Sequence, residues 1–233
     1  MLLLDTQNSE TAEREGIEHL YRQQVDGIIW CPLTANDVMA SYADKVPVVV
    51  IDRPMPNYDS VSSNYTMGGS LLAKHLLSQG HKSIGMVTGP ETLKSAQLRK
   101  QGFTDTIDDL ATIVWSIENE FSITLNDKTK QHIQQQNVSV IVAGNDMTAI
   151  GVMAHLKQLG KQVPDDVSVV GFDDIPWCNI VSPTLTSIRQ PLSQIGREAI
   201  NVLLDRINQS KTPKRHIMMD VNLTIRDSVK QLS

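Results

Sequence analysis

The sequence predicts an α/β protein whose parallel sheets are covered by helices. Short apolar runs recur along the chain, and each is followed by a polar or Gly/Pro break and then by a stretch with helical spacing. Hydrophobic residues make up 40% of the 233 residues and aromatic residues only 4%, so we expect an aliphatic core, as is typical of parallel sheets. Because strands and helices alternate, parallel pairing with right-handed crossovers follows.

Seven segments are predicted as strands because each is apolar, or nearly so, along its whole length. That pattern is expected when helices cover both faces of a strand. In chain order the predicted strands are 2–4, 25–30, 46–51, 83–88, 112–117, 138–143 and 167–172.

Amphipathic helices are predicted between and after these strands. Ser9 can cap the start of the first helix, and Gly80 and Gly160 can end the second and third. Their apolar positions fall within 17–21, 67–76, 149–156 and 192–203.

The rhythm of strands and helices pauses three times, over 60–64, after Arg189 and near 211–215. Three pauses indicate two lobes that are joined by several crossings of the chain. We therefore predict two doubly wound parallel-sheet lobes, an N-terminal lobe of 1–62 and 192–217 and a C-terminal lobe of 63–191 and 218–233.

Charge and cysteine usage exclude several classes of function. The formal net charge is −5 and Lys and Arg form no run, so these residues lack the basic surface that contact with nucleic acid requires. Cys31 and Cys178 form no CxxC pair and are expected to be free thiols in a reducing compartment, the cytoplasm. No segment approaches the ~18–20 apolar residues of a membrane span.

Polar pairs follow three of the predicted strands. Asp52 and Arg53 come after the strand 46–51, Asn145 and Asp146 after 138–143, and Asp173 and Asp174 after 167–172. Ligands of open parallel sheets bind beyond the carboxyl ends of the strands, and these side chains can exchange hydrogen bonds with ligand hydroxyl groups. Each pair could instead be a helix cap or a turn, as is plausible for Asp146 and Asp174.

Five further side chains are candidates for the same site. Ser95 and Arg99 are four residues apart on one helix face, although Arg99 could also be a solvated surface arginine. Gln190 is an amide candidate that could equally be a loop residue. Phe172 and Trp177 flank the two aspartates and could stack on a sugar ring, whereas core packing is the commoner use of such rings.

The motifs of catalysis are absent from the sequence. It contains no phosphate-binding loop of the Walker type, no dinucleotide-binding glycine motif and no nucleophile elbow. The six histidines lack metal-ligand spacing, and nothing argues for the raised pKa that Asp52 or Asp173 would need as a glycosidase acid. We therefore expect no enzyme, no metal and no cofactor.

Taken together, the motifs resemble the effector-binding domain of the LacI/GalR family of transcription regulators, which shares its fold with type I periplasmic sugar-binding proteins. They occur in the family's order along almost the whole chain. The matching segments are V-D-G-I-I at 25–29, V-V-V-I-D-R-P at 48–54, G-H-K-S-I-G-M-V-T-G-P at 80–90, L-R-K-Q-G-F at 98–103, V-I-V-A-G-N-D-M-T-A-I-G at 140–151, V-P-D-D-V-S-V-V-G-F-D-D at 163–174, P-T-L-T-S-I-R-Q-P at 183–191 and L-T-I-R-D-S at 223–228.

The resemblance implies a ligand, partners and a site. It implies a sugar-like effector bound between two lobes, a homodimer, and DNA contact only through an N-terminal helix-turn-helix that precedes these residues in the family. The chain starts at what resembles the family's second strand, so the N-terminal lobe is expected to lack the first strand and helix. The effector-contacting positions that it implies are Asp52, Arg53, Ser95, Arg99, Asn145, Asp173 and Gln190.

Two other functions stay open at the level of the sequence. One is a periplasmic sugar-binding protein of a transport system, and the other, less well supported, is a sugar-modifying enzyme on the same architecture.

Overall fold

The computed structural model describes residues 1–7, 9–34, 36–135, 137–208 and 213–232. Its strands are β1 (Ile28–Trp30), β2 (Val48–Ile51), β3 (Asp59–Ser63), β4 (Ser83–Thr88), β5 (Thr112–Glu118), β6 (Val140–Ala143), β7 (Ser168–Asp173), β8 (Thr186–Arg189), β9 (His216–Met219) and β10 (Asn222–Thr224). Its α-helices are α1 (Glu10–Arg22), α2 (Tyr65–Ser78), α3 (Lys94–Ile107), α4 (Asp127–Gln135), α5 (Asp146–Gln158) and α6 (Leu192–Asn208).

The chain divides into two compact units. The first unit consists of Met1–Ser63 and Pro191–Met219, and the second of Asn64–Gln190 and Asp220–Ser233. Each unit is built around one sheet that is parallel or almost wholly parallel. The predicted α/β class with parallel-sheet lobes is therefore confirmed.

The sheet of the first unit has the order β1-β2-β3-β9, and all three pairings are parallel. Val48 and Val50 of β2 pack into a cluster that includes Ile17 of α1, whereas Val49 packs on the opposite face against Ile195 and Val202 of α6. Both faces of β2 are therefore buried, which explains why the strand is apolar at every position.

The sheet of the second unit has the order β10-β8-β7-β6-β4-β5, and only β10 runs antiparallel to its neighbour. On one face α2 and α3 cover the core, and on the other face α5 does so. The helices α2 and α3 touch through glycines, since a Cβ on Gly102 would lie 2.0 Å from the backbone oxygen of Thr66. This close contact fixes α3, the helix that carries Ser95 and Arg99.

Six of the seven predicted strands are present, with ends that differ by up to three residues. The prediction of a strand over 2–4 is wrong, because these three leucines form no strand and remain exposed. A strand without a pairing neighbour would leave its backbone hydrogen-bonding groups unsatisfied. The predicted Ser9 cap of α1 is confirmed, since its side chain accepts a hydrogen bond from the backbone N–H of Ala12.

Candidate functional site

The carboxyl ends of three neighbouring strands meet at one edge of the sheet in the second unit. The strands β4, β6 and β7 are adjacent and parallel, so their last residues lie side by side. Gly89 follows β4, Gly144 and Asn145 follow β6, and Asp173 is the last residue of β7. Three of the sequence-predicted site residues, Asn145, Asp173 and its neighbour Phe172, therefore lie at this edge.

Arg99 ties two of these strand ends together. Its Nη2 lies 3.0 Å from Oδ1 of Asp173, and its Nη1 donates a hydrogen bond of 2.8 Å to the carbonyl oxygen of Gly144. The side chain is only 10% exposed, so the pair lies in a region of reduced screening. The structure thus brings Arg99 and Asp173, both predicted from the sequence, into direct contact.

Three aromatic rings surround the Arg99 guanidinium. Its central carbon lies 4.0 Å from the ring centre of Phe172, 5.0 Å from that of Tyr65 and 5.4 Å from that of Phe121. A guanidinium over aromatic faces is held by cation–π attraction as well as by its hydrogen bonds. Phe172 is only 1% exposed, so it supports Arg99 from inside the protein, and the half-buried Phe121 presents the more accessible ring.

Asp173 is held in a conformation that few residues other than glycine adopt. Its φ is 112°, and that of Asp174 is 56°. Backbone strain of this kind costs about 1–3 kcal/mol per residue and is concentrated at functional sites. Gln190, one residue beyond β8, donates a hydrogen bond of 2.6 Å from Nε2 to Oδ1 of Asp173. Gln190 therefore belongs to the same cluster as Arg99 and Asp173.

Asn145 is a helix cap as well as a member of this strand edge. Its Oδ1 accepts a hydrogen bond of 2.9 Å from the backbone N–H of Thr148 and so caps α5. The Nδ2 group remains the donor that its side chain can offer to another molecule. Ser95 lies one turn before Arg99 on the buried face of α3 and is 3% exposed.

Asp174 has a structural role, although it is adjacent to Asp173. Its carboxylate accepts hydrogen bonds from Arg226 Nη2 at 2.6 Å and from Arg189 Nε at 2.5 Å. Burial raises the pKa of Asp174, but these two arginines outweigh burial and hold the pKa below its ordinary value. From the sequence, Asp174 could have been a helix cap or a turn residue, whereas in the structure it forms ion pairs with two arginines.

Asp52 and Arg53 lie in the first unit, at the end of β2. Asp52 has a φ of 69°, so it shares the positive backbone angle of Asp173. Arg53 Nε lies 3.4 Å from Oδ2 of Asp52, and its Nη1 donates to the carbonyl oxygen of Pro32 at 2.7 Å and to that of Leu33. Arg53 therefore holds the loop after β1 to the end of β2.

Phe121 and Tyr65 were not identified from the sequence, and Asp146 was named there only as the partner of Asn145 in a polar pair or as a helix cap. Phe121 follows β5 after two polar residues, and a lone aromatic ring in such a segment is a signal that could have been used. The strand ends leave room for it, since a Cβ on Gly89 would lie 2.2 Å from the Phe121 ring. Nothing local marks Tyr65, and the position of Asp146 after a strand does not show that it is buried, because the roles of both residues are defined by contacts between elements.

The described part of the chain contains no group of three or more His, Cys, Asp or Glu residues that could hold a metal ion. Over the same residues, no helix combines the length and the apolar content that a membrane span requires. The chemistry of the cluster is therefore that of a charged donor, a carboxylate acceptor, two amides and aromatic rings.

Comparison with known proteins places this chain among transcription regulators. Residues 73–229 match the model of the periplasmic binding protein-like domain. The HTH-type transcriptional repressor PurR of Vibrio vulnificus is 30% identical, and the match covers 100% of this chain and 73% of that repressor. A LacI family transcriptional regulator of Enterococcus faecalis, solved with bound ribose, has a TM-score of 0.88 at 31% identity over 100% of this chain and 88% of that one. The lac repressor dimer bound to operator and the anti-inducer ONPF has a TM-score of 0.84 at 27% identity, over 94% and 79%.

Proposed function

The chain belongs to the LacI/GalR family of transcriptional repressors as its effector-sensing core, and on that premise we propose that it binds a small sugar-like effector through Arg99 and Asp173. Gln190, Asn145 and Ser95 complete the polar part of the proposed site in the second unit. Phe121 supplies the ring on which the apolar face of a sugar can stack.

The single observation that carries this proposal is the preorganised pair of Arg99 and Asp173 at the strand edge. Each sugar hydroxyl both donates and accepts a hydrogen bond, so it needs an acceptor such as a carboxylate and a donor such as a guanidinium or amide. Arg99 Nε is buried and has no hydrogen-bond partner among the described residues. Leaving a buried donor unsatisfied costs about 1–3 kcal/mol, and an oxygen atom of a bound ligand would remove that cost.

Asp52 of the first unit is proposed as a further effector contact, whereas Arg53 is proposed to act by holding the loop at Pro32 and Leu33. The positive φ of Asp52 supports this proposal, because residues other than glycine keep such angles mainly where function requires them.

We propose that the regulator acts as a homodimer in the cytoplasm and that effector binding changes its affinity for DNA. A ligand shifts a conformational equilibrium only by its difference in affinity for the two states, so effector and DNA affinities must be coupled in both directions. The net charge of −5 supports DNA contact through residues of the regulator other than these. Catalysis is not proposed, because the site contains no paired nucleophile and base.

Thermal-shift measurements against D-ribose, cellobiose, a sugar phosphate and hypoxanthine test the proposal, followed by calorimetry with the compound that raises Tm most. We expect Arg99→Ala and Asp173→Ala each to weaken binding by about 10- to 100-fold, the effect of losing one charge-assisted hydrogen bond. Asp105→Ala is the matched control, because Asp105 lies on the same helix as Arg99 but is exposed.

Unchanged affinity in both variants would remove these residues from the site. Binding of hypoxanthine with no response to any sugar would replace the sugar class with a nucleobase. Chemical conversion of a panel compound by the purified protein would establish an enzyme instead.

A further inference from the structure

A buried carboxylate lies directly behind the turn that carries Asp173. Asp146, the first residue of α5, is 0% exposed. Its Oδ2 accepts a hydrogen bond of 2.9 Å from the backbone N–H of Ile175, and its Oδ1 accepts one of 2.5 Å from the hydroxyl of Ser187. The same hydroxyl accepts a hydrogen bond of 3.2 Å from the backbone N–H of Asp174. The carboxylate thus holds the peptide group of Ile175 directly and that of Asp174 through the Ser187 hydroxyl.

The carboxylate is fitted tightly against β7. A Cβ on Gly171 would lie 2.2 Å from Oδ1 of Asp146, so only glycine leaves room for it at that position. Among the described residues Asp146 forms no salt bridge, and its oxygens interact with backbone N–H, hydroxyl and thiol groups instead. An unpaired charge in such a place is costly to bury, so its retention calls for a role.

The turn that Asp146 holds is strained. Asp173 and Asp174 follow one another with φ values of 112° and 56°, and such angles persist only where the surroundings enforce them. Without the hydrogen bonds that Asp146 and Ser187 accept from it the turn can relax, and the Asp173 carboxylate would then leave its position beside Arg99 and Gln190.

We propose that Asp146 is a positioning residue: as a carboxylate it holds the 173–175 turn and so presents Asp173 to the effector, and effector binding weakens when Asp146 takes up a proton. This inference rests on the proposed function of Arg99 and Asp173. It assigns Asp146 no contact with the effector.

The groups that face Asp146 place its titration near neutral pH. They are Ser187 from β8, Cys178 from the 3₁₀ turn Pro176–Asn179, and Asp173 from β7. Burial raises the pKa of Asp146 to about 6, the charge of Asp173 acts in the same direction, and the hydrogen bonds from Ser187, Ile175 and Cys178 oppose it.

Asp174, the next acidic group, is paired with Arg189 and Arg226. Below about pH 6 a proton occupies one oxygen of Asp146, so the carboxyl group no longer accepts at both oxygens. The hold on the turn is therefore expected to weaken as the pH falls.

NMR on ¹⁵N-labelled protein tests the positioning role without any ligand. We expect the backbone amide resonances of Asp174 and Ile175 to titrate with a midpoint near pH 6 in the wild type and to show no such titration in Asp146→Asn. Ser187→Ala keeps the carboxylate but removes a hydrogen bond that lowers its pKa, so its midpoint should move to higher pH. A purely structural role for Ser187 predicts no such shift.

Binding of D-ribose, measured by calorimetry at about pH 7.5 and about pH 5.5, tests the consequence for the site. We expect protonation of Asp146 to weaken binding roughly 10-fold, the effect of weakening one hydrogen bond to a charged group. Because about three quarters of the molecules are protonated at the lower pH, the observed affinity of the wild type should fall about 3-fold there. Asp146→Asn should bind with similarly reduced affinity at both values, and Asp105→Asn, an exposed control on α3, should behave as the wild type.

The two hypotheses fail in different ways. If Arg99→Ala abolishes D-ribose binding but the Asp174 and Ile175 amides do not titrate near pH 6, this inference is overturned and the proposed function stands. If those amides titrate and no compound of the panel binds, the proposed function is overturned. A wild-type pH dependence that persists in Asp146→Asn overturns the role of Asp146.

Discussion

Replacing Arg99 with lysine keeps the positive charge and removes the planar group, and so tests whether geometry at this position matters. The guanidinium joins Asp173 to the carbonyl oxygen of Gly144 and lies 4.0 Å from the ring centre of Phe172. A lysine ammonium is a compact charge on a flexible chain, which can retain one of the two polar contacts but cannot stack.

The magnitude follows from these contacts. Loss of one hydrogen bond that involves a charged group costs about 1.5–3 kcal/mol. The stacking that disappears contributes about 0.5–1 kcal/mol. We therefore expect Arg99→Lys to lower the free energy of unfolding by about 2–4 kcal/mol and to weaken effector binding by about 10- to 100-fold.

Urea unfolding followed by circular dichroism measures the first quantity, and calorimetry with the compound found in the thermal-shift panel measures the second. Arg14→Lys is the matched control, because Arg14 is 58% exposed and solvent screens its ion pair with Glu10, so that the pair is expected to contribute little to stability. If Arg99→Lys and Arg14→Lys have the same unfolding free energy and the same affinity, the argument from guanidinium geometry is refuted.

Two other positions give independent tests. Arg206→Met should lower the free energy of unfolding by about 3–5 kcal/mol, since Asp59 is 0% exposed and loses hydrogen bonds of 2.8 and 2.7 Å from Arg206. Burial raises the pKa of Asp59, but Arg206 and Arg215 lower it overall, so this stabilisation is present above the ordinary pKa of an aspartate and is lost as the pH falls below it. If urea melts give the same difference in unfolding free energy between wild type and variant at low pH as at neutral pH, this reasoning is contradicted. Gly89→Ala should weaken effector binding with little effect on the fold, since the new Cβ would lie 2.2 Å from the Phe121 ring and must displace it. Calorimetry measures the affinity and a thermal melt measures the stability, and unaltered affinity would exclude Phe121 from the site.

The sequence was informative wherever a strand is covered on both faces. In β6, Val140 and Val142 pack on one side and Ile141 and Ala143 on the other, so the run is apolar throughout and easily recognised. The ends of such strands are equally visible, which is why Asn145 and Asp173 could be proposed without a structure.

The strand β3 was missed because its burial depends on polar partners that are distant in sequence. All five residues Asp59–Ser63 are buried, yet four of them are polar. Asp59 is paired with Arg206, and the hydroxyl of Ser60 lies 2.9 Å from Nδ1 of His216. Periodicity cannot reveal a strand whose polar groups are satisfied by residues about 150 positions away.

Asp146 shows why a local interpretation can be correct for one residue and wrong for its neighbour. The sequence allowed Asp146 to cap the helix that follows, but Asn145 provides the cap and Asp146 lies inside the protein. Its pKa of about 6 lies above the ordinary value of 3.8, so the folded state binds the proton more tightly than the unfolded state does. The protein therefore loses about 3 kcal/mol of stability as the pH rises from about 4 to neutral.

Asparagine or a smaller residue at position 146 would avoid the cost of a buried charge, so stability alone does not explain this aspartate. An acceptor of two hydrogen bonds is needed at that point to enforce the positive φ angles of Asp173 and Asp174. The first unit has the same feature at Asp52, whose φ is 69° and whose carboxylate contacts Arg53. Strain at the end of a strand in each unit, held in place by its neighbours, is expected of a protein that keeps binding groups oriented at the expense of stability.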